Sequence, residues 1–198
     1  KVLVFDWCYH GTVDETFANL DGFGPDGEPI VVARRGNIGP PVDPAVTTVV
    51  VPFNDLEALE RALARGDVAA VLAEPALTNI GIVLPDPGFH EALRALTRQY
   101  GTWLVLDETH TLCAGPGGAI AAWGLDPDAV VLGKTIGGGI PIGAFGMTEA
   151  FVSAATSDVE LEQVDVGGIG GTLAGNALSL AAARATLEEV LVDAAFEN

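Results

Sequence analysis

Residues 103–146 read WLVLDETHTLCAGPGGAIAAWGLDPDAVVLGKTIGGGIPIGAFG, and two charges within them decide the fold. Trp103-Leu104-Val105-Leu106 runs straight into Asp107-Glu108, and Ala129-Val130-Val131-Leu132-Gly133 runs straight into Lys134. Short unbroken apolar runs of this kind are strands buried on both faces. A carboxylate and an amine at their ends stand at the carboxyl edge of a sheet, where open α/β folds bind ligands.

Burial is costly for a lone carboxylate or ammonium, so such groups are paired, neutralised or given to a ligand. One reading pairs Asp107 with Lys134 in a structural salt bridge. The other places a cofactor between them, with Lys134 as a covalent amine and Asp107 as the acid partner of a heterocyclic nitrogen. Pyridoxal phosphate needs that second arrangement, a lysine Schiff base and a carboxylate on the pyridinium.

Outward from this stretch the pattern is regular. Residues 2–5 form a buried strand followed by Tyr9-His10-Gly11, where Gly11 permits a tight exit and an aromatic ring can pack in the loop or stack on a flat ligand. Residues 21–41, rich in Gly, Pro and Asp, read as a loop or hairpin and carry Arg34 and Arg35 as a solvated pair or an anion site. Residues 47–51 form a strand, after which Asn54 caps a helix with Glu57 completing a capping box and Leu56, Leu59 and Leu63 on one face.

Residues 68–73 form another strand, closed by Glu74-Pro75, and Asn79 in the following loop either holds the turn or reaches a ligand. Residues 89–100 make an amphipathic helix with Phe89, Leu93 and Leu96 inward, stopped by Gly101. Residues 143–146 add a short strand, and residues 174–191 an Ala/Leu helix packed on the sheet or across a subunit boundary. Alternation of strand and helix predicts right-handed βαβ units, hence an α/β fold with a mainly parallel sheet and flanking helices.

With 198 residues, 49% of them apolar, and a mean hydropathy of +0.38, the chain can bury a substantial core, and residues 1–198 read as one domain. The net charge of -18, from 27 acids against 9 bases, argues against nucleic acid or an anionic membrane as partner. Cys8 and Cys113 make no disulfide framework, which favours a reducing compartment. With no leader at the start and no apolar run near the ~18 residues of a membrane span, a cytoplasmic protein is expected. The abrupt first strand and the stop soon after a helix point to a larger protein.

Rival motifs fail on spacing. Gly133-Lys134-Thr135 is not a phosphate loop, because position 128, where the motif needs Gly, is Asp. Gly137-Gly138-Gly139 and Gly143 follow the lysine, so a dinucleotide fingerprint fits no better. Asp107, Glu108 and His110 lack a second His/Cys group at ligand spacing, and adjacent strand residues face opposite ways, so no metal is expected. His110 lies either in a solvated loop or near the phenolic oxygen of a ring bound at Asp107.

Taken together, Tyr9-His10-Gly11, Glu74-Pro75 to Gly81, LDETHT and LGKTIGGGIPIGAFG resemble the class III aminotransferases, and within them the branch around glutamate-1-semialdehyde aminomutase. The resemblance implies the large domain of pyridoxal-phosphate fold type I, a homodimer, and an enzyme moving an amino group between an amino donor and a carbonyl acceptor. It implies that Lys134 forms the Schiff base, Asp107 pairs with the pyridinium nitrogen, and Tyr9 stacks on the ring. His10 and Glu74 complete the expected cofactor surroundings.

His110 falls where many relatives have Gln, which contacts the phenolic oxygen, or Met. Asn79 matches the Asn of the aminomutase-like branch, in place of a Glu that masks a substrate-binding Arg in some ω-aminotransferases. Thr172 in GGTLAGN, residues 170–176, matches the Thr that binds the phosphate of the neighbouring subunit's cofactor. The family's Ser/Gly/Thr phosphate cup, its small C-terminal domain and its carboxylate-binding Arg have no counterpart in these 198 residues. An aminomutase and a catalytically silent α/β dimerisation module are the alternatives.

Overall fold

Leu3, Val4 and Phe5 are wholly out of water because their strand, β1 (Val2–Phe5), has a neighbour on each side. In this computed structural model, which describes residues 1–11, 13, 16–34, 43–157 and 173–197, β1 pairs in parallel with β4 (Thr48–Val51) and β5 (Ala70–Ala73). β5 pairs in parallel with β6 (Trp103–Asp107), which gives the order β4-β1-β5-β6. The fold is mixed α/β with a mainly parallel sheet, as the alternation of patterns predicts.

The chain packs as two compact units, residues 1–107 with 125–127 and residues 108–124 with 128–198. In the first, the crossover helices α2 (Leu56–Leu63) and α3 (Phe89–Gln99) follow β4 and β5. Phe89, Leu93 and Thr97 form the buried face of α3, and Ala58, Leu59, Ala62 and Leu63 that of α2. Phe5, Phe53 and Phe89 meet edge to face or tilted, with centroids 4.8–5.6 Å apart. Burying each such ring contributes about 2 kcal/mol, so the cluster fixes where the chain leaves β1.

Three local expectations change. The segment read as a loop or hairpin is a hairpin that begins earlier, β2 (Ala18–Phe23) against β3 (Pro29–Ala33), because Asp6 Oδ1 accepts from Asn19 Nδ2 and Leu20 N, both at 3.0 Å. Thr47 ends a single helical turn, α1 (Pro44–Thr47), rather than starting β4. The cap of α2 is Asp55, whose carboxylate accepts from Ala58 N at 2.9 Å. Asn54 instead sits at φ +68 and ties down the loop at 84–86, donating to Leu84 O and accepting from Asp86 N.

In the second unit, β7 (Ala129–Gly133) and β8 (Gly143–Met147) pair antiparallel from Ala129↔Met147 to Gly133↔Gly143. α4 (Gly118–Trp123) precedes them, and α5 (Glu149–Ala155), capped by Thr148, follows. The Ala/Leu helix is shorter than residues 174–191: α6 (Ala177–Ala185) starts where Asn176 caps it and passes into a π turn, Thr186–Val190. Ser179 Oγ donates to Pro141 O at 3.0 Å, and Thr186 packs where Gly138 has no side chain. No helix among the described residues is long and apolar enough to cross a membrane.

Candidate active site

In the first unit the site residues gather where β1, β5 and β6 end. Asp107, the last residue of β6, is 8% exposed, and its Oδ2 lies 2.8 Å from His10 Nδ1. Burial pulls the His10 pKa down, but hydrogen bonds to the Asp107 carboxylate and the Cys8 sulfur, with their charges, lift it to about 9. His10 is therefore an imidazolium at neutral pH, set against the Asp107 carboxylate. Its other ring nitrogen, Nε2, is buried and has no hydrogen-bond partner among the described residues.

Glu74, 3% exposed, is engaged at both oxygens. Oε1 accepts from Tyr9 N at 3.2 Å, and Oε2 accepts from Thr78 N at 3.2 Å and Thr78 Oγ1 at 2.5 Å. The carboxylate thus joins the loop after β1 to the loop after β5. Asn79, next in that second loop, is exposed.

In the second unit Lys134 follows β7 directly, in a left-handed backbone conformation (φ +48), and opens the 3₁₀ turn Lys134–Gly137. Its Nζ lies 2.6 Å from His110 Nε2. Thr135, beside it, has a buried Oγ1 without a hydrogen-bond partner among the described residues. Glu108 is buried at 1% exposure, and its carboxylate accepts from Thr111 Oγ1, Ala119 N and Ile120 N. Because Glu108 N also donates to Val131 O at 2.9 Å, the turn bearing His110 is fixed at its base.

Sequence reasoning had brought Tyr9, His10, Glu74, Asn79, Asp107, His110, Lys134 and Thr172 forward. The structure joins His10 to Asp107, Tyr9 to Glu74, and His110 to Lys134. Thr172 lies outside the described residues. Glu108, Thr135 and Cys8 were missed as site-shaping residues. For Glu108 a signal existed in the Gly117-Gly118 pair: a Cβ on Gly118 would sit 2.7 Å from both Glu108 oxygens.

The profile of the family described as Aminotransferase class-III matches residues 1–198. The glutamate-1-semialdehyde 2,1-aminomutase of Desulfovibrio desulfuricans is 40% identical over 194 residues, covering 94% of this chain and 42% of that protein. A glutamate-1-semialdehyde-aminomutase from Pseudomonas aeruginosa PAO1 superposes with a TM-score of 0.84 at 49% identity, over 98% of this chain and 42% of that one. A lysine-to-alanine variant of it, in complex with PMP, gives 0.82 at 48% identity over the same shares. An omega-transaminase from Sphaerobacter thermophilus gives 0.80 at 33% identity, over 98% of this chain and 44% of that one. The chain spans less than half the length of the curated relatives it matches. A family match from the first residue to the last, on a fold these solved structures share, makes the chain a member of the class III aminotransferase family.

Proposed function

We propose that the protein containing this chain is a pyridoxal-phosphate-dependent aminotransferase that moves an amino group between a small-molecule amino donor and a carbonyl acceptor, acting as a cytoplasmic homodimer. The observation that carries this reading is Lys134, an amine at a strand end in a left-handed turn, within a chain of class III aminotransferase sequence. The residues fit the cofactor. The first unit offers a buried carboxylate paired with His10 and the buried His10 Nε2, and the second an amine, an imidazole and the buried Thr135 Oγ1, the two buried atoms being without hydrogen-bond partners among the described residues.

When bound, pyridoxal phosphate supplies an aldehyde that takes up amines and a ring that withdraws electrons from the substrate carbon. Lys134 would hold the cofactor through Nζ, and that same atom, when free, would carry a proton from the substrate carbon. Asp107 would accept from the ring nitrogen, and His10, 2.8 Å from it, would orient the carboxylate. Tyr9 would stack on the ring, and His110 would hydrogen-bond the cofactor. Thr172 contributes to the phosphate site of the neighbouring subunit.

The names of the relatives and the presence of Asn79 favour a second reading, an aminomutase shifting the amino group within one substrate. Titration of the full-length protein with pyridoxal phosphate tests the shared part. A visible absorption band that forms in the wild type and is lost in Lys134→Ala supports both readings. No band at saturating cofactor overturns both and leaves a silent module. Turnover of a single amino-carbonyl substrate with no second donor or acceptor added then separates mutase from aminotransferase.

A further inference from the structure

Resting on that reading, we propose that Arg34 is a positioning residue for Tyr9: with Glu74 it clamps the peptide between Cys8 and Tyr9 and so sets how the Tyr9 ring meets the cofactor. Arg34 Nη2 donates to Cys8 O at 2.8 Å, and Tyr9 N donates to Glu74 Oε1 at 3.2 Å. Cys8 O and Tyr9 N are the two ends of one peptide unit. That unit therefore has a cation at its oxygen and a carboxylate at its nitrogen. Hydrogen bonds to charged groups are about twice as strong as neutral ones, and bonds at both ends of a peptide polarise it and reinforce each other.

A peptide is planar, so holding both of its ends fixes a plane rather than a point. The ψ of Cys8 and the φ of Tyr9 are held with it, and the Tyr9 ring keeps only its side-chain torsions. The chain reaches this peptide through Trp7, which is 56% exposed and left-handed at φ +67. A non-glycine residue stays in that conformation only where its surroundings over-determine it. Here they do: Cys8, 1% exposed, donates its N–H to Phe5 O at 3.0 Å, and the clamp follows at once.

Arg34 is itself set for this contact. The sequence reads it as half of a solvated pair or an anion site; it is half-buried directly after β3, and Arg35 lies outside the described residues. Its backbone N–H donates to Phe17 O at 2.8 Å, extending the β2–β3 ladder, and its guanidinium carbon lies 5.4 Å from the centroid of the ring of that same Phe17. In this acid-rich chain Arg61, Arg65, Arg94, Arg98 and Arg184 each pair with a carboxylate, whereas Arg34 pairs with none among the described residues. Its charge goes to a main-chain carbonyl of the site loop.

The full-length protein is compared as wild type, Arg34→Met and Arg34→Gln, each alone and combined with Tyr9→Ala. Met keeps an apolar stem on Phe17 and Gln keeps a polar tip too short for Cys8 O, so either variant serves if the other misfolds. Without cofactor, hydrogen-exchange mass spectrometry resolved to the Tyr9 amide reads the clamp. Exchange there is expected to speed up on the order of tenfold in the Arg34 variants. Exchange at the wild-type rate in either folded variant overturns the proposal. With pyridoxal phosphate, the Kd taken from the absorption band reads the ring. Loss of Arg34 is expected to raise it about threefold or more when Tyr9 is present, and by less than about twofold when Tyr9→Ala is already in place. Equal weakening in both backgrounds makes Arg34 merely structural and also overturns the proposal. No band in the wild type, with faster exchange in the variants, removes the aminotransferase reading and leaves the clamp standing. A normal band with unchanged exchange does the reverse.

Discussion

His10 Nδ1 stands 2.8 Å from Asp107 Oδ2, and the two side chains are only 2% and 9% exposed. A strand-end carboxylate thus has its counter-ion on a loop 97 residues away. Removing one partner of such a pair leaves the other as an uncompensated buried charge or forces it neutral.

The pair imposes a pH dependence on stability. The folded-state value of about 9 for His10 lies above its ordinary 6.5, so the stabilisation is complete below about pH 6.5 and is lost as pH rises through 9. Urea unfolding of the wild type at pH 6 and at pH 9.5 is expected to differ by about 3 kcal/mol more than in Asp107→Asn, where His10 has no carboxylate to hold its proton. Equal pH dependence in the two proteins would contradict the ion pair.

Glu108 supplies a second measurable effect. Gln in its place presents an amide N–H to backbone donors that need an acceptor, at a cost of about 1–3 kcal/mol in urea unfolding. Gly118→Ala attacks the same contact from the other side, since the added Cβ meets the carboxylate at 2.7 Å and the backbone is at φ +67. It is expected to destabilise by at least as much.

The two candidate caps of α2 are separable. Asp55→Ala removes the acceptor for Ala58 N and is expected to cost about 1 kcal/mol, with local fraying visible in amide exchange at Leu56 to Ala58. Asn54→Ala leaves that helix start protected and loosens the loop at 84–86 instead. Exchange protection that moves the other way would return the cap to Asn54.

Gly138 and Thr186 are coupled through space rather than sequence. A Cβ on Gly138 would lie 2.6 Å from Thr186 Oγ1, and the residue has φ +55. Gly138→Ala is expected to destabilise, and Thr186→Ala in the same protein to recover the steric part but not the backbone part. The resulting interaction energy in a double-mutant cycle is expected to exceed about 0.5 kcal/mol.

The strands were legible because burial on both faces leaves a run of apolar residues that no other element of that length explains. Asp107 was legible for the same reason, as a charge ending such a run, whereas Lys134, expected to be buried, is exposed at the end of β7, whose middle residues are only half-buried. What the sequence hid were partners distant along the chain. Asn54 and Asp55 are both good caps, and only the engagement of Asn54 with the loop at 84–86 decides between them. The early start of the hairpin depends on Asp6, and the charge state of His10 on Asp107. The run from Ala174 carries the right composition for a longer helix, yet the cap Asn176 starts the helix three residues in, at Ala177.

Glu74 has a mechanical consequence. By clasping Tyr9 with one oxygen and Thr78 with the other, it makes two loops behave as a single lever. A shift of the Tyr9 backbone is passed through Glu74 to Thr78, and a shift of Thr78 is felt at the Tyr9 backbone. The loop after β1 and the loop after β5 are therefore displaced together or not at all.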